Sequence, residues 1–92
     1  MEALSKLTFK ELNQLLIDIA ERFFQSHLDD DLYFLRVQRA YDKLSNSDKN
    51  LINNEFFYQN YHLWWQGLYS KATFYRNKKE AMVSFLEAFY DE

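Results

Sequence analysis

The sequence predicts an all-α protein: a small bundle of four to five helices with a C-terminal helix-turn-helix-like unit and a long terminal helix. The 92 residues include one glycine and no proline, so few positions interrupt a helix. Valine occurs only at positions 37 and 83, and no run alternates apolar and polar residues as a half-buried strand does. We expect a single domain, residues 1–92, in which residues 1–44 support a helix-turn-helix-like part over residues 45–92.

The first helix is predicted over about Phe9 to Gln25. Thr8 and Glu11 have the spacing of a capping box, in which each side chain accepts a hydrogen bond from the backbone N–H of the other residue. An apolar stripe at helical spacing follows this cap and should face the core. Its members are Leu12, Leu15, Leu16, Ile19 and Phe23.

Two further helices are predicted before residue 58. The run Asp29-Asp30-Asp31 is interpreted as the acidic start of a second helix, about Asp31 to Leu44, because carboxylates stabilise a helix N-terminus. The polar segment Ser45-Asn46-Ser47 is the clearest break in the chain. Either Ser45 or Ser47 should cap a third helix over about Asp48 to Phe57.

A helix, a tight turn and a second helix are predicted in the C-terminal part. A short helix over about Tyr61 to Gln66 leads to Gly67, the only glycine. Glycine adopts the left-handed conformation that ends a helix sharply, so residues 67–69 are predicted to form the turn. Ser70 is a good N-cap for the terminal helix, which should run to Tyr90.

The predicted terminal helix has two distinct sides. Its core side carries Phe74, Ala81, Met82, Phe85 and Phe89, with Lys78 among them. The first half of the other side offers small, hydroxyl and cationic groups that suit a DNA major groove, since Arg binds guanine and Lys binds phosphate. The alternative is a basic helix start that is merely solvated. The candidate DNA-binding residues are Ser70, Lys71, Ala72, Thr73, Arg76 and Lys79.

The chain from Leu44 to about Leu86 resembles the helix-turn-helix of sigma factor region four and of ArpU-type phage late-transcription regulators. Leu44-Ser45, Asp48-Lys49, Leu51-Ile52 and Phe56-Phe57 are similar to the opening helix of that family, and residues 70–76 (SKATFYR) are similar to the start of its recognition helix. The resemblance implies that Lys71, Ala72, Thr73, Arg76 and Lys79 face double-stranded DNA. It also implies RNA polymerase or another regulator as a partner.

Composition argues against several other classes of function. The net charge of −3 has the wrong sign for a protein that coats nucleic acid without specificity. No glycine-rich phosphate loop, nucleophile elbow or metal-ligand spacing is found, so we expect no enzyme, no cofactor and no metal. No apolar run is long enough for a membrane span, no export signal is found, and the absence of cysteine is compatible with a cytoplasmic location.

Nine aromatic residues lie between Phe56 and Tyr75, too many for all to be buried in so small a domain. Trp64 and Trp65 would point about 100° apart on a helix, so one should lie in the core and the other at least partly at the surface. The alternatives are core packing, a protein interface and a platform for stacked bases. The second functional hypothesis is therefore a helical adaptor or immunity-type protein that binds a partner through Tyr61, Trp65 and Tyr69.

The two hypotheses differ in what they require of the surface. A helix with only three or four cations makes few phosphate contacts, so we expect weak DNA binding by a monomer and useful affinity only in a homodimer or beside RNA polymerase. The adaptor instead requires exposed aromatic rings.

Overall fold

The computed structural model describes residues 4, 6–26, 31–58 and 63–90. Over these ranges it is helical and contains no strand, which confirms the predicted all-α class. The elements are α1 (Phe9–Ser26), α2 (Asp31–Asp42), α3 (Asn46–Ile52), a π-helical segment (Asn53–Phe57) that continues α3, and α4 (Lys71–Tyr90). The predicted long terminal helix is therefore present. Asp29, Asp30 and Tyr61, for which the sequence predicts roles, lie outside the described residues.

The capping residues identified in the sequence hold the helix starts. The Thr8 N–H donates to Glu11 Oε1 at 2.8 Å, and the Glu11 N–H donates to Thr8 Oγ1 at 3.1 Å. The Glu11 carboxylate accepts hydrogen bonds from the Thr8 backbone N–H and from the Thr8 side chain, and these hold the pKa of Glu11 below its usual value, because a carboxylate that accepts hydrogen bonds is favoured in its charged form. The Asp48 N–H donates to Ser45 Oγ at 3.2 Å, so Ser45 caps α3 and the helix starts two residues earlier than predicted.

Helix α4 lies at the centre of the bundle and packs against α1, α2 and α3. The predicted core side of α4 is buried, and Leu86 joins it. At the C-terminal end, the Arg36 side chain of α2 donates from Nε to the Phe89 carbonyl at 2.8 Å, and its guanidinium lies 4.3 Å from the Phe89 ring centroid. The core residues outside α4 include Leu12, Leu16, Val37, Ala40, Leu51, Ile52 and Phe56.

The segment before α4 differs from the prediction. Within the described part of the predicted helix Tyr61 to Gln66, residues 63–66 form turns and not an α-helix. The left-handed residue is Leu63, with φ of 61°, whereas Gly67 does not have a positive φ. The bend predicted at Gly67 therefore begins four residues earlier, at Leu63, and the chain enters α4 through consecutive turns.

Gly67 is consequently expected to tolerate a side chain. A Cβ built on Gly67 meets nothing within 4 Å, and replacing glycine at a compatible position reduces the entropy of the unfolded chain. We expect Gly67→Ala to raise the free energy of unfolding by ~0.4–1 kcal/mol or to leave it unchanged, as measured by urea denaturation. Gln66→Ala, an exposed neighbour, is the control. A loss of more than about 1 kcal/mol would instead indicate that Gly67 is left-handed.

Candidate nucleic-acid interface

The start of α4 is fixed by its own cap. The Ser70 hydroxyl accepts a hydrogen bond from the Thr73 N–H at 3.2 Å and donates to the Thr73 hydroxyl at 2.9 Å. Ser70 is exposed and Thr73 is half-buried. The two hydroxyls therefore hydrogen-bond to each other. Their main role in this structure is to set the position and direction of the first turn of α4.

The cations after this cap form an exposed basic face, defined as Lys71, Ala72, Arg76 and Lys79. All four side chains are exposed, and the three cations make no salt bridge with another described residue. Ala72, Arg76 and Lys79 lie at i, i+4 and i+7, so they occupy one side of the helix. Arg76 and Lys79 therefore share one exposed side of α4, whereas Lys71, at the exposed first position of the helix, lies about 140° from Arg76 around the axis.

The two flanks of the basic face differ in charge. On one flank, the Phe9 ring at the start of α1 contacts the Tyr75 ring edge to face, with 5.5 Å between centroids. On the other flank, Asp48 of α3 lies close enough to Glu80 to interact electrostatically. Partial burial raises the pKa of the Asp48 carboxyl, a hydrogen bond from the Ser45 side chain lowers it, and the negative charge of Glu80 raises it.

Lys78 is the fourth cation in the first half of α4, and its half-buried side chain pairs with a half-buried carboxylate. Its Nζ lies 2.7 Å from Oε1 of Glu55 in a pair whose side chains are 12% and 17% exposed. The other oxygen of Glu55 accepts a hydrogen bond from the Trp64 indole N–H at 2.6 Å. This Glu55 cluster ties the π-helical segment, the turns before α4 and α4 itself together. The sequence pattern does not predict this cluster, because Glu55 and Lys78 are 23 residues apart.

The aromatic residues of the adaptor hypothesis are placed differently from the prediction. Trp65 is 7% exposed and stacks on Phe74, with 4.5 Å between centroids and 9° between ring planes. The expectation that Trp65 belongs to an exposed aromatic surface is therefore wrong, because the half-buried member of the pair is Trp64. Tyr69 is half-buried beside a surface hollow at the start of α4.

The described residues contain no group of three metal-binding side chains. None of the helices described is long and apolar enough to cross a membrane. No protein-family model, curated protein or solved structure matches this chain.

Proposed function

We propose that this protein is a small transcription regulator that binds double-stranded DNA through the basic face of α4. The observation that supports this proposal most directly is the exposure of Arg76 and Lys79 without salt-bridge partners among the described residues. Both follow a helix start that Ser70 caps. A surface cation without a carboxylate partner remains available for phosphate or for a base edge.

The dimensions of α4 suit a major groove. The groove is ~12 Å wide and admits one α-helix, and a helix of 20 residues is about 30 Å long. In this arrangement Arg76 reaches guanine O6 and N7, and Ala72 contacts a thymine methyl group. Lys71 and Lys79 bind phosphate oxygens on either side. Ser70 and Thr73 act through the helix cap that they form.

The turn segment before α4 changes one aspect of this proposal. In the usual helix-turn-helix, a preceding helix crosses the DNA backbone and supports the recognition helix. Here residues 63–68 form turns, and the Glu55 cluster together with the stacking of Trp65 on Phe74 supports α4 instead. In this proposal α4 is the recognition helix, and contacts on its core side hold it in place of a preceding helix.

The affinity of a single copy is expected to be modest. When Arg76 contacts phosphate in non-specific binding, the three exposed cations of the basic face predict a slope of log K against log salt of about −2.7 for α4 alone, far shallower than that of proteins with many phosphate contacts. The net charge of −3 weakens attraction to DNA further. A second copy, or RNA polymerase at a neighbouring site, would supply the remaining affinity.

Fluorescence anisotropy with a labelled random-sequence duplex tests the proposal. We expect the wild type to bind at low salt and Arg76→Ala/Lys79→Ala to lose at least tenfold in affinity, because two contacts to DNA are removed together. The charge-matched control is Arg39→Gln/Lys43→Gln, which removes two exposed cations near the end of α2 and should bind nearly as the wild type does. Absence of wild-type binding at low salt would overturn the proposed function.

A further inference from the structure

We propose that Lys6, in the turn before α1, and Lys10, in the first turn of α1, form a second phosphate-binding element that holds the DNA strand beside α4. This inference rests on the proposed function and extends it to a different helix. Lys6 and Lys10 are exposed and make no salt bridge with another described residue. Nothing in the sequence pattern connects them with α4, which begins about 60 residues later.

Packing of the rings brings the two helix starts together. Phe9, the neighbour of Lys10, contacts Tyr75 in the first two turns of α4. The Lys78 ammonium lies 5.4 Å from the Phe9 ring centroid, so Phe9 lies between two residues of α4 separated by almost one turn. The start of α1 is therefore held against the same part of α4 that carries the basic face.

The backbone around the two lysines is fixed on both sides. Leu4 is 6% exposed and belongs to the core, and Leu7 packs against that core. The Leu7 N–H donates to the Leu4 carbonyl at 3.2 Å, and the Thr8 and Glu11 capping box follows. Lys6 and Lys10 therefore project from an anchored turn and from the first turn of a capped helix.

The spacing of packed helices places α1 just beyond the edge of the groove, which is ~6 Å from the axis of a helix at its centre. Helices in contact have axes ~8–10 Å apart, and the phosphate strands border a groove ~12 Å wide. When α4 lies in the groove, a helix packed beside its start meets one bordering strand. Lysine ammonium groups on long stems bind phosphate as point charges.

The charges on the two flanks set the orientation. Glu11 is the acidic residue of the α1 start, and its carboxylate accepts a hydrogen bond from the Thr8 N–H. On the opposite flank Asp48 and Glu80 interact as like charges, and two carboxylates there repel phosphate. The DNA strand beside α1 is therefore bound more closely than the strand beside Asp48 and Glu80. The protein accordingly docks in one orientation, with the α1 side of α4 toward the closely bound strand.

The experiment measures the salt dependence of binding to the random-sequence duplex for Lys6→Gln/Lys10→Gln and for the charge-matched control Arg39→Gln/Lys43→Gln. Loss of two phosphate contacts is expected to reduce the magnitude of the slope by about 1.8, with a weaker affinity at low salt. The control lowers the net charge equally and should keep the wild-type slope. Circular dichroism establishes that both variants remain folded.

The outcomes separate this inference from the proposed function. Equal slopes for Lys6→Gln/Lys10→Gln and the control, with Arg76→Ala/Lys79→Ala still impaired, would overturn the α1 contact and leave binding by α4 intact. A reduced slope confined to the α1 variant supports the second element. A wild type that does not bind duplex DNA at all would overturn both.

Discussion

Phe74→Ala is expected to lower the free energy of unfolding by ~3–5 kcal/mol, the usual cost of truncating a buried phenylalanine to alanine. Phe74 is 2% exposed and lies between two tryptophans, stacked on Trp65 and edge to face with Trp64 at 6.0 Å. Truncation leaves a cavity at the start of α4 and removes the surface on which Trp65 packs. Since a domain of this size has a total stability of about 5–14 kcal/mol, a large share would be lost.

Urea denaturation followed by tryptophan fluorescence measures this effect. Both indoles contact Phe74, so the native emission of the alanine variant should also shift to longer wavelength. Phe74→Leu is the matched control, because it keeps most of the buried volume and is expected to cost less than about 1.5 kcal/mol. If the alanine and leucine variants were equally stable, Phe74 would not fill the core at this point.

Elements that depend on residues one turn apart could be predicted from the sequence. The caps at Thr8 and Ser70 formed as expected because a hydroxyl three residues before an N–H reaches it in any helix start. The core side of α4 followed from helical periodicity. For the same reason the basic face could be predicted, since Arg76 and Lys79 lie opposite the buried residues once α4 forms.

Elements that depend on contacts between distant residues could not be predicted. A left-handed leucine is unfavourable in isolation, so the sequence pointed to Gly67 and not to Leu63. Which of Trp64 and Trp65 is buried depends on where α4 presents Phe74. The approach of the α1 start to the basic face likewise requires the contact between Phe9 and Tyr75, which no local pattern encodes.

The second large loss of stability is expected from removing the carboxylate of the Glu55 cluster. Glu55→Gln keeps an oxygen for the Trp64 N–H but leaves the Lys78 ammonium, 12% exposed, without a carboxylate. The ammonium would then lie between the Phe9 and Phe56 rings, 5.4 and 5.2 Å from their centroids. We expect a loss approaching ~3 kcal/mol, the lower end of the range for a buried pair that loses one partner.

The cation-free double variant separates the charge pair from packing. Lys78→Met alone leaves the Glu55 carboxylate with the Trp64 N–H and should also be destabilised. Glu55→Gln/Lys78→Met leaves no uncompensated charge, so it should be more stable than the sum of the two single losses predicts, with a coupling energy of about 1–3 kcal/mol. Urea denaturation of all four proteins gives this coupling energy.

The salt dependence of the coupling energy tests the burial of the pair. Exposed pairs weaken in high salt, whereas buried pairs are screened much less, so most of the coupling should persist in 1 M sodium chloride. Additive losses, or a coupling that vanishes at high salt, would contradict the structure. A persistent coupling would mean that Glu55 holds Lys78 inward, so that Lys71, Arg76 and Lys79 remain the exposed cations at the start of α4.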